Sequence, residues 1–441
     1  MALKNLENDL IKEVDMGILK EKLKKIISQY REDIKAFLNL NKDKEIGKIT
    51  VGSVFGGMRG LPVLFCDTSE ILPEKGLLIR GIPIKELSEK IPEDIFWLML
   101  TGELPTKVES QSFQEDLNKR AEKIPEYVFN VIDNIPLNSH PMTMLNCAIV
   151  LMEKESLFVK KYSEGLRKED YWEPIYEDSL NIISWVPQIA SYVYRRKYFN
   201  GRKVSHNFCF DWAYNFAKLL GVDDENGSFT KLLRLYTVIH SDNEGGNVSA
   251  HCCHCAGSSL SNPFYSVAAG LCGLAGPLHG LANQEVLKWI LDLMEEFDEI
   301  PKEHQIIDYV EKTLKSGKVI PGYGHSILRV TDPRFEAFYE FGEKYCKNDP
   351  VYKTVALVFK VVPDILKKNP KIKDPYPNLD ACSGALLYHF GIKEFNFYTV
   401  MFGVSRIFGM TAQLILSRGF GEPIESPKSM TLKWFKEQVV K

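Results

Sequence analysis

Apolar residues recur at helical spacing from about residue 85 almost to the C-terminus, and this pattern most constrains the fold. The apolar runs at 95–100, 232–236 and 286–291 are typical of buried helices. Residues 5–40 show a similar alternation of apolar and charged positions. Gly and Pro clusters interrupt the pattern, as expected between helices, at 261–263, 276–280, 319–324 and 369–378. The sequence therefore predicts an all-α, mainly helical protein.

One segment near the N-terminus departs from this pattern. Glycines cluster between residues 52 and 60, and two short apolar runs follow, Pro62–Cys66 and Gly76–Arg80. Short apolar runs bounded by glycine and proline are typical of hairpin strands. We therefore expect a small β-hairpin near the N-terminus of an otherwise helical fold.

The length of 441 residues and the hydrophobic content of 45% allow a large core and two domains. Gly-rich segments near 276–280 and 383–391 would bracket the smaller domain. We expect a large helical domain made of residues 1–281 and 388–441, and a smaller, mobile domain made of residues 282–387.

Charge and composition argue against several classes of protein. A net charge of −3 disfavours a nucleic-acid-binding protein, whose surface would be basic. No uninterrupted apolar run reaches the roughly 18 residues that span a bilayer. Glu7 and Asp9 disfavour a mitochondrial presequence, which is acid-poor, and no apolar secretory signal is present. We therefore expect either a cytosolic protein or one whose targeting segment has been removed. The nine cysteines follow no disulfide spacing, so we expect free thiols in a reducing compartment.

The segment from Pro321 to Arg334 carries the densest set of chemical groups. A proline and two glycines precede His325, so the backbone there should form a tight turn rather than a helix interior. Arg329 and Arg334 follow. A titratable ring beside fixed cations indicates a site for an anionic substrate, because the planar guanidinium group binds carboxylate or phosphate. A lone histidine is more often packed or exposed, and only these neighbours favour a functional role.

Three further residues stand in unusual surroundings. His279 follows a Gly-Pro turn and should lie near a helix N-terminus, where amide donors disfavour the imidazolium form, although it could simply cap that helix. Asp380 follows a Pro-rich loop and could be a general base or, equally, an N-cap. Arg406 lies in an apolar helical run, and a buried guanidinium needs an anion, either a structural carboxylate or a substrate.

The run from His251 to Cys255 contains five possible metal ligands in a row. Consecutive ligands on a helix point around its axis, and only His251 and Cys255 share a face. Zinc sites instead use spaced pairs that return from a second element. We therefore expect buried cysteines that fill small gaps, and no metal site.

Three long strings resemble citrate synthases of the mitochondrial eukaryotic type. They are HSDxEGGNVSAH at 240–251, GLAGPLHGLANQEVL at 273–287 and PGYGHxxLRxTDPR at 321–334, and the resemblance covers nearly the whole chain. It implies the all-α citrate synthase fold and an acyltransferase of the tricarboxylic acid cycle. Such an enzyme condenses acetyl-CoA with oxaloacetate to give citrate and CoA.

The resemblance also implies the catalytic roles. Asp380 would remove a proton from the acetyl methyl group, and His279 would hydrogen-bond the thioester carbonyl and stabilise the enol. His325 would donate to the keto oxygen of oxaloacetate. These roles suit a weakly acidic methyl group, which needs a desolvated base and a donor where negative charge develops. Closure of the smaller domain would exclude water.

Binding residues and partners follow from the same resemblance. No cofactor is implied beyond acetyl-CoA as co-substrate. The family forms homodimers whose C-terminal segment reaches the partner's active site, and its compartment is the mitochondrial matrix, with the cytoplasm as the alternative here. Lys168 stands where the family usually has arginine. Oxaloacetate would be bound by Asn243, Asn247, Arg334 and Arg406, and CoA by Arg59, Lys168, Arg329, Lys371 and Asn378.

Two positions depart from the family pattern. The family usually has a second histidine at Asn243, where asparagine keeps a donor but cannot carry charge. Ser426 stands where the family usually has an arginine that crosses the dimer to a substrate carboxylate. Loss of one partner of a desolvated charge pair costs about 2–5 kcal/mol. Three hypotheses therefore remain: a citrate synthase, a relative that uses another 2-oxoacid or acyl-CoA (for example 2-methylcitrate synthase-like), or a weakly active or inactive paralogue with a structural role.

Overall fold

The computed structural model describes residues 17–201, 204, 206–297 and 300–439. Within these residues the fold is helical apart from one small sheet, as the periodicity predicts. Residues 5–16 of the predicted first helix lie outside the described ranges. The helices are α1 (Ile18–Asn41), α2 (Val51–Phe55), α3 (Pro92–Thr101), α4 (Lys107–Ala121), α5 (Tyr127–Asn134), α6 (Pro141–Leu151), α7 (Leu157–Ser163), α8 (Trp172–Tyr198), α9 (Trp212–Leu220), α10 (Ser228–His240), α11 (Val248–Ser258), α12 (Pro263–Leu274), α13 (Ala282–Phe297), α14 (Glu303–Lys315), α15 (Pro333–Tyr345), α16 (Pro350–Leu366), α17 (Asp380–His389), α18 (Phe395–Phe420) and α19 (Leu432–Val439).

The sheet is antiparallel, with the strand order β1 (Ser69–Leu72), β2 (Gly76–Ile79) and β3 (Ile82–Pro83). The predicted hairpin is present, and its second strand falls within Gly76–Arg80. The expectation of a strand at Pro62–Cys66 is wrong, because that segment is irregular and Phe65 is 52% exposed. Ser69–Leu72 pairs with β2 instead, because a three-residue turn places the two strands side by side. The turn leads into Gly76, which has a positive φ of 78°.

Helix α18 is the central element of the core. It packs against α8, α10, α11, α12 and α3, and almost every side chain from Phe397 to Gly419 is buried. It is also long and apolar enough to cross a membrane, but 94% of its most apolar window is buried inside the protein. A helix that is apolar on all sides and covered by other helices is a core helix.

The candidate site residues lie where helices begin. The loops or first turns of α11, α13, α15 and α17 carry Asn247, His279, Arg334 and Asp380. Helices α13 and α15 both pack on α17, and Ser249 in the first turn of α11 contacts His279, which links these four helix starts. Helix N-termini present unpaired N–H groups, which makes such a convergence suited to anionic groups. Arg406 enters the same region from the middle of α18.

Candidate active site

A cleft of about 1010 Å³ opens between the segment that precedes β1 and the helix N-termini. The lining residues come from 57–71, from 243–251 and from the two histidine loops. Five of the residues singled out in the sequence line it, namely Arg59, Asn243, Asn247, His279 and His325. Residues up to 270 positions apart in sequence, Gly57 and Ile327, thus meet at one surface.

His279 is fixed from one side by the first turn of α11. The backbone N–H of Ser249 donates to its Nε2 at 3.3 Å, and the Ser249 hydroxyl lies 2.9 Å from the same nitrogen. That hydroxyl donates its proton to Asn247 Oδ1 at 2.7 Å. Because Nε2 accepts, a neutral His279 carries its proton on Nδ1. Burial, and then the charge of Arg406, lower the pKa of His279 to about 4, so the ring is a neutral donor.

The expected helix-terminus effect on His279 is present, but it comes from another helix. His279 itself lies in the turn that precedes α13, and its backbone N–H donates to Gly276 O at 3.0 Å. Its ring does not cap α13. The amide that meets the imidazole belongs to α11, whose N-terminus is contributed by a segment thirty residues earlier in the chain, as the separation of His279 and Ser249 shows.

His325 is fixed in the opposite tautomer. The backbone N–H groups of Ile327 and Leu328 both donate to its Nδ1, each at 3.1 Å. A neutral His325 therefore carries its proton on Nε2, which is left free to donate. Burial, and then the charge of Arg334, lower the pKa of His325. The two histidines are thus both neutral donors, one through Nδ1 and the other through Nε2.

Asp380 is the first residue of α17, and its side chain does not act as an N-cap. Its own backbone N–H is capped by Asn378 Oδ1 at 3.0 Å, and no described residue donates a hydrogen bond to its carboxylate. Burial raises the pKa of Asp380 to about 6, although Arg334 and Arg406 partly offset this effect. A carboxylate that has no structural partner and a raised pKa has the properties of a general base.

The loops that carry His325 and Asp380 are hydrogen-bonded to each other. Gly324 N donates to Tyr376 O and Asn378 N donates to Gly322 O, both at 2.9 Å, and Tyr323 pairs with Pro377 as an isolated antiparallel bridge. This pairing joins two segments that are about 50 residues apart in sequence and brings the two candidate groups to the same place.

Arg334 is held by a buried carboxylate and reaches across to Asn243. Its Nε and Nη2 donate to Asp332, with the Nη2 bond at 2.8 Å, and Asp332 is 0% exposed. Its Nη1 donates to Asn243 Oδ1, also at 2.8 Å. The amide oxygen of Asn243 is therefore occupied, so its NH₂ group is the part available to a ligand.

Arg406 is buried and linked to the first turn of α11. Its Nε donates to His240 O at 2.8 Å and its Nη1 donates to Asn247 Oδ1 at 3.1 Å. Burial lowers the pKa of Arg406 to about 10, against the opposing effect of Asp242. The predicted anion for Arg406 is thus in part a structural carboxylate, since Asp242 lies within its field. The unpaired Nη2 remains available to a substrate.

The residues expected to bind CoA are less concentrated. Arg59 is exposed and lines the cleft. Arg329 is exposed, two residues after the cleft residue Ile327, and donates to the carbonyls of Ile327 and Leu328. Lys168 and Lys371 are exposed and lie outside the residues that line the cleft. Asn378 lies between the two catalytic loops rather than on the exposed surface.

Around the run His251–Cys255, within the described residues, no group of three His, Cys, Asp or Glu is arranged to hold a metal ion. Only Cys253 is buried, whereas Cys252 is half-buried and Cys255 is exposed, so the expectation of buried cysteines is right for one of the three. His251 Nε2 donates to Glu425 Oε1 at 2.7 Å. All nine cysteines are free thiols.

The C-terminal segment around Ser426 lies on the outside of this single chain. Ser426 is exposed, while the neighbouring Glu425 is anchored through His251 and through Ser258 Oγ, to which its backbone N–H donates at 3.0 Å. No contact joins Ser426 to the described cleft residues. The positions of the two departures therefore differ, because Asn243 lies inside the cleft and Ser426 does not.

Sequence reasoning missed two residues that orient the site. Ser249 sets the tautomer of His279, and Asp332 holds Arg334. Ser249 stands two residues after Asn247 within the same motif, and Asp332 precedes Pro333 at a typical helix start. Both signals were present, but the motif does not name His279 as the distant partner of Ser249, and the helix start does not show that Asp332 also binds the Arg334 side chain.

Comparison with known proteins identifies the family. The family model described as citrate synthase, C-terminal domain, matches residues 57–428. Citrate synthase 4, mitochondrial, of Arabidopsis thaliana is 46% identical over 94% of this chain and 89% of its own length. The mitochondrial citrate synthase of Daucus carota is 45% identical over 96% of this chain and 91% of its own length.

Solved structures agree with this result. The citrate synthase of Pyrobaculum aerophilum matches with a TM-score of 0.75 and 27% identity, over 88% of this chain and 95% of that one. The citrate synthase of Thermoplasma acidophilum, solved as a ternary complex with carboxymethyl coenzyme A and oxaloacetate, matches in fold with a TM-score of 0.74 and 22% identity, over 87% of this chain and 97% of that one. Family match, sequence identity and fold together place this chain in the citrate synthase family.

Proposed function

We propose that this enzyme condenses acetyl-CoA with oxaloacetate to give citrate and CoA, using Asp380, His279 and His325. The observation that carries the proposal is the complementary arrangement of these groups. One unpaired carboxylate with a raised pKa shares the charged neighbours Arg334 and Arg406 with two neutral imidazoles, each of which is fixed by backbone amides in a defined tautomer. Such a set can remove a carbon-bound proton and stabilise two carbonyl oxygens.

In the first step, Asp380 removes a proton from the methyl group of acetyl-CoA. The electron pair moves onto the thioester oxygen, where the Nδ1–H of His279 donates to the developing enol. A neutral imidazole suits this oxygen, since it can polarise the carbonyl through a hydrogen bond without giving up a full proton. The pKa of Asp380, at about 6, leaves the base mostly ionised at neutral pH and more basic than an ordinary aspartate.

In the second step, the enol carbon attacks the keto carbon of oxaloacetate. The Nε2–H of His325 donates to the keto oxygen as that oxygen becomes an alkoxide. The product is citryl-CoA, and water then cleaves its thioester to citrate and CoA. Water must be absent until citryl-CoA forms, and we propose that a smaller domain, residues 282–387, closes over the large domain of residues 1–281 and 388–441 to exclude it.

The carboxylates of oxaloacetate would bind Arg334 and Arg406. Each guanidinium has donors left over after its protein contacts, because Asp332 and Asn243 take one side of Arg334 and His240 O with Asn247 takes one side of Arg406. The Asn243 NH₂ group would add a neutral donor. Arg59, Lys168, Arg329 and Lys371 would supply positive charge for the CoA phosphates.

We also propose a homodimer and a mitochondrial location. Exposed apolar residues accumulate on the segment 46–65 and on the C-terminal segment, where Phe55 contacts Phe435, and a second subunit could cover them. The relatives are named mitochondrial, which supports the matrix. Sedimentation should give a dimer, and a monomer would contradict the proposed assembly. The reaction is expected to need no cofactor besides acetyl-CoA.

The test is a steady-state assay of CoA release with a panel of substrates. Acetyl-CoA with oxaloacetate should give the highest kcat/KM, above propionyl-CoA and above other 2-oxoacids. Asn243→Ala should raise the KM for oxaloacetate about tenfold or more, because Arg334 loses an acceptor and the substrate a donor. The KM for acetyl-CoA should change much less. Release that prefers another 2-oxoacid, or none with any pair, would contradict the proposal.

A further inference from the structure

Two short segments meet behind the cleft, and one side chain joins them. The histidine loop (residues 321–325) ends at His325, and the aspartate loop (residues 374–380) ends at Asp380. Asn378 lies in the second loop and contacts both ends. Its Nδ2 donates to Gly324 O at 3.0 Å, and its Oδ1 accepts from the backbone N–H of Asp380 at 3.0 Å.

We infer that Asn378 is a positioning residue, which fixes the distance and orientation between the base Asp380 and the donor His325. This inference deepens the proposed function and rests on the roles given to those two residues there. Asn378 stands among the expected CoA-binding residues, and this role differs, because it acts through Asp380 and His325 and not by contact with a substrate.

The Gly324 contact controls the peptide group next to His325. Gly324 has a φ of 89°, and a glycine can adopt many other backbone conformations. The imidazole is bound to the backbone of Ile327 and Leu328, so the ring moves with the backbone that carries it. The hydrogen bond from Asn378 to Gly324 O therefore fixes the peptide group between Gly324 and His325, and with it the position of the His325 ring.

The Asp380 contact controls the start of α17. The helix begins at Asp380, and the residue before it gives no side-chain cap. Asn378 Oδ1 satisfies the first free N–H, and Asn378 O accepts from Ala381 N at 3.1 Å. The direction in which the Asp380 carboxylate leaves the helix therefore depends on Asn378.

Close packing supports this bridge. Gly322 has a φ of 81°, and a Cβ atom there would lie 2.9 Å from Ala381 Cα, so only glycine lets the histidine loop approach α17 this closely. Gly322 O accepts from Asn378 N. A small shift between catalytic groups can cost about a hundredfold in rate, so a bridge at this contact matters for turnover.

Three variants separate the possibilities. Asn378→Ser keeps a short acceptor that can cap the Asp380 N–H but cannot reach Gly324 O. Asn378→Ala removes both contacts. Asn262→Ala is the matched control, since Asn262 Oδ1 likewise accepts from a backbone N–H at a helix start, that of Tyr265 at 3.1 Å, but Asn262 does not line the cleft.

Two reactions are measured on the full-length enzyme. The first is condensation of acetyl-CoA with oxaloacetate. The second is exchange of the acetyl methyl protons in D₂O with malate present, because malate resembles oxaloacetate but has no keto carbon to attack. Exchange needs Asp380 and His279, whereas condensation also needs His325. Thermal midpoints identify any variant that does not fold.

Asn378→Ser should lower kcat for condensation about tenfold to a hundredfold and leave exchange within about threefold of the wild type. Asn378→Ala should lower both reactions. The KM for acetyl-CoA should stay within about twofold in both variants, and Asn262→Ala should match the wild type in both reactions.

Three results would overturn the inference while the wild type turns over. The first is a raised KM for acetyl-CoA with unchanged kcat, which indicates a CoA contact. The second is unchanged condensation in Asn378→Ser. The third is an equal loss of both reactions in Asn378→Ser. An inactive wild type would instead contradict the proposed function, so the two failures are distinguishable.

Discussion

The backbone N–H of Ser249 donates to Nε2 of His279, and this contact decides which nitrogen of the imidazole carries the proton. Nδ1 is then the only nitrogen of a neutral His279 that can donate to a substrate. The catalytic assignment of His279 rests on this tautomer rather than on the presence of a histidine.

Two variants of His279 test the tautomer. The amide nitrogen of asparagine lies close to the position of Nδ1, whereas that of glutamine lies close to Nε2. His279→Asn should therefore keep a donor toward the thioester, and His279→Gln should direct its donor toward Ser249. We expect both to lose about a hundredfold or more in kcat, and His279→Asn to retain about tenfold more activity than His279→Gln. The reverse order would show that Nε2 faces the substrate.

The pKa of Asp380 predicts the acid limb of the pH profile. The base must be ionised, so kcat/KM should fall tenfold per pH unit below a midpoint of about 6. His279, with a pKa of about 4, stays mostly neutral through this range, and burial lowers the pKa of His325 as well. The profile of kcat/KM between pH 4.5 and 8 checks this. A midpoint near that of an unperturbed aspartate would contradict the burial of Asp380.

The same pKa predicts a cost in stability. Because the pKa of Asp380 is about 6 in the folded enzyme and about 3.9 in an unfolded chain, the folded state binds this proton more tightly. The contribution of Asp380 to the free energy of unfolding is therefore largest below about pH 4, and it is lost as the pH rises toward 6. Asp380→Asn should raise the free energy of unfolding at pH 7.5 by up to about 3 kcal/mol, at 1.36 kcal/mol per pKa unit, and much less at pH 4.

Denaturant melts of wild type and Asp380→Asn at these two pH values measure the effect. If the free energies of unfolding of the two proteins differed by the same amount at both pH values, burial would not raise the pKa of the Asp380 carboxylate. A loss of stability at pH 7.5 would mean that its attraction to Arg334 and Arg406 outweighs the loss of solvation.

Asn247 links Arg406, which we propose binds substrate, to the Ser249 side chain that contacts His279. Its Oδ1 accepts from Arg406 Nη1, from Ser249 Oγ and from Ala250 N. Asn247→Ala removes a helix cap worth about 1 kcal/mol and leaves a buried donor of Arg406 unpaired, at about 1–3 kcal/mol. It should therefore lower both the thermal midpoint and kcat.

Asn262→Ala provides the control, because Asn262 caps α12 through Tyr265 N at 3.1 Å and is also buried, but lies outside the cleft. It should lose stability through the cap alone and keep the wild-type kcat. Equal losses of kcat in the two variants would mean that the cap and not the link to Arg406 and Ser249 is what matters.

The sequence predicts those parts of the molecule that depend on neighbouring residues. The helices follow from apolar spacing, and the breaks at 261–263 and 276–280 fall between helices, because glycine and proline act locally. The strand at Pro62–Cys66 failed because pairing depends on a distant partner, and β2 pairs with Ser69–Leu72 instead.

The site shows the same division. The motifs show which residue types stand at His279, His325 and Asp380. They do not show the tautomers of the two histidines or the hydrogen-bond partners of the three side chains. Whether Asp380 caps its helix is decided by Asn378, which takes that role itself. The tautomer of His279 is decided by Ser249, and the fixed direction of Arg334 by Asp332. The Ser249–His279 contact joins residues thirty positions apart and forms only after the chain folds, whereas the Asn378–Asp380 and Asp332–Arg334 contacts are local, and the sequence leaves open which partner each side chain takes.

The most direct test of the central claim compares wild type and Asp380→Asn in citrate formation from acetyl-CoA and oxaloacetate. The wild type should turn over both substrates, and the variant should lose about 10²- to 10⁴-fold in kcat, with little change in either KM. Full activity in Asp380→Asn, or no citrate from the wild type at saturating substrates, would contradict the assignment of this cleft as the site of condensation.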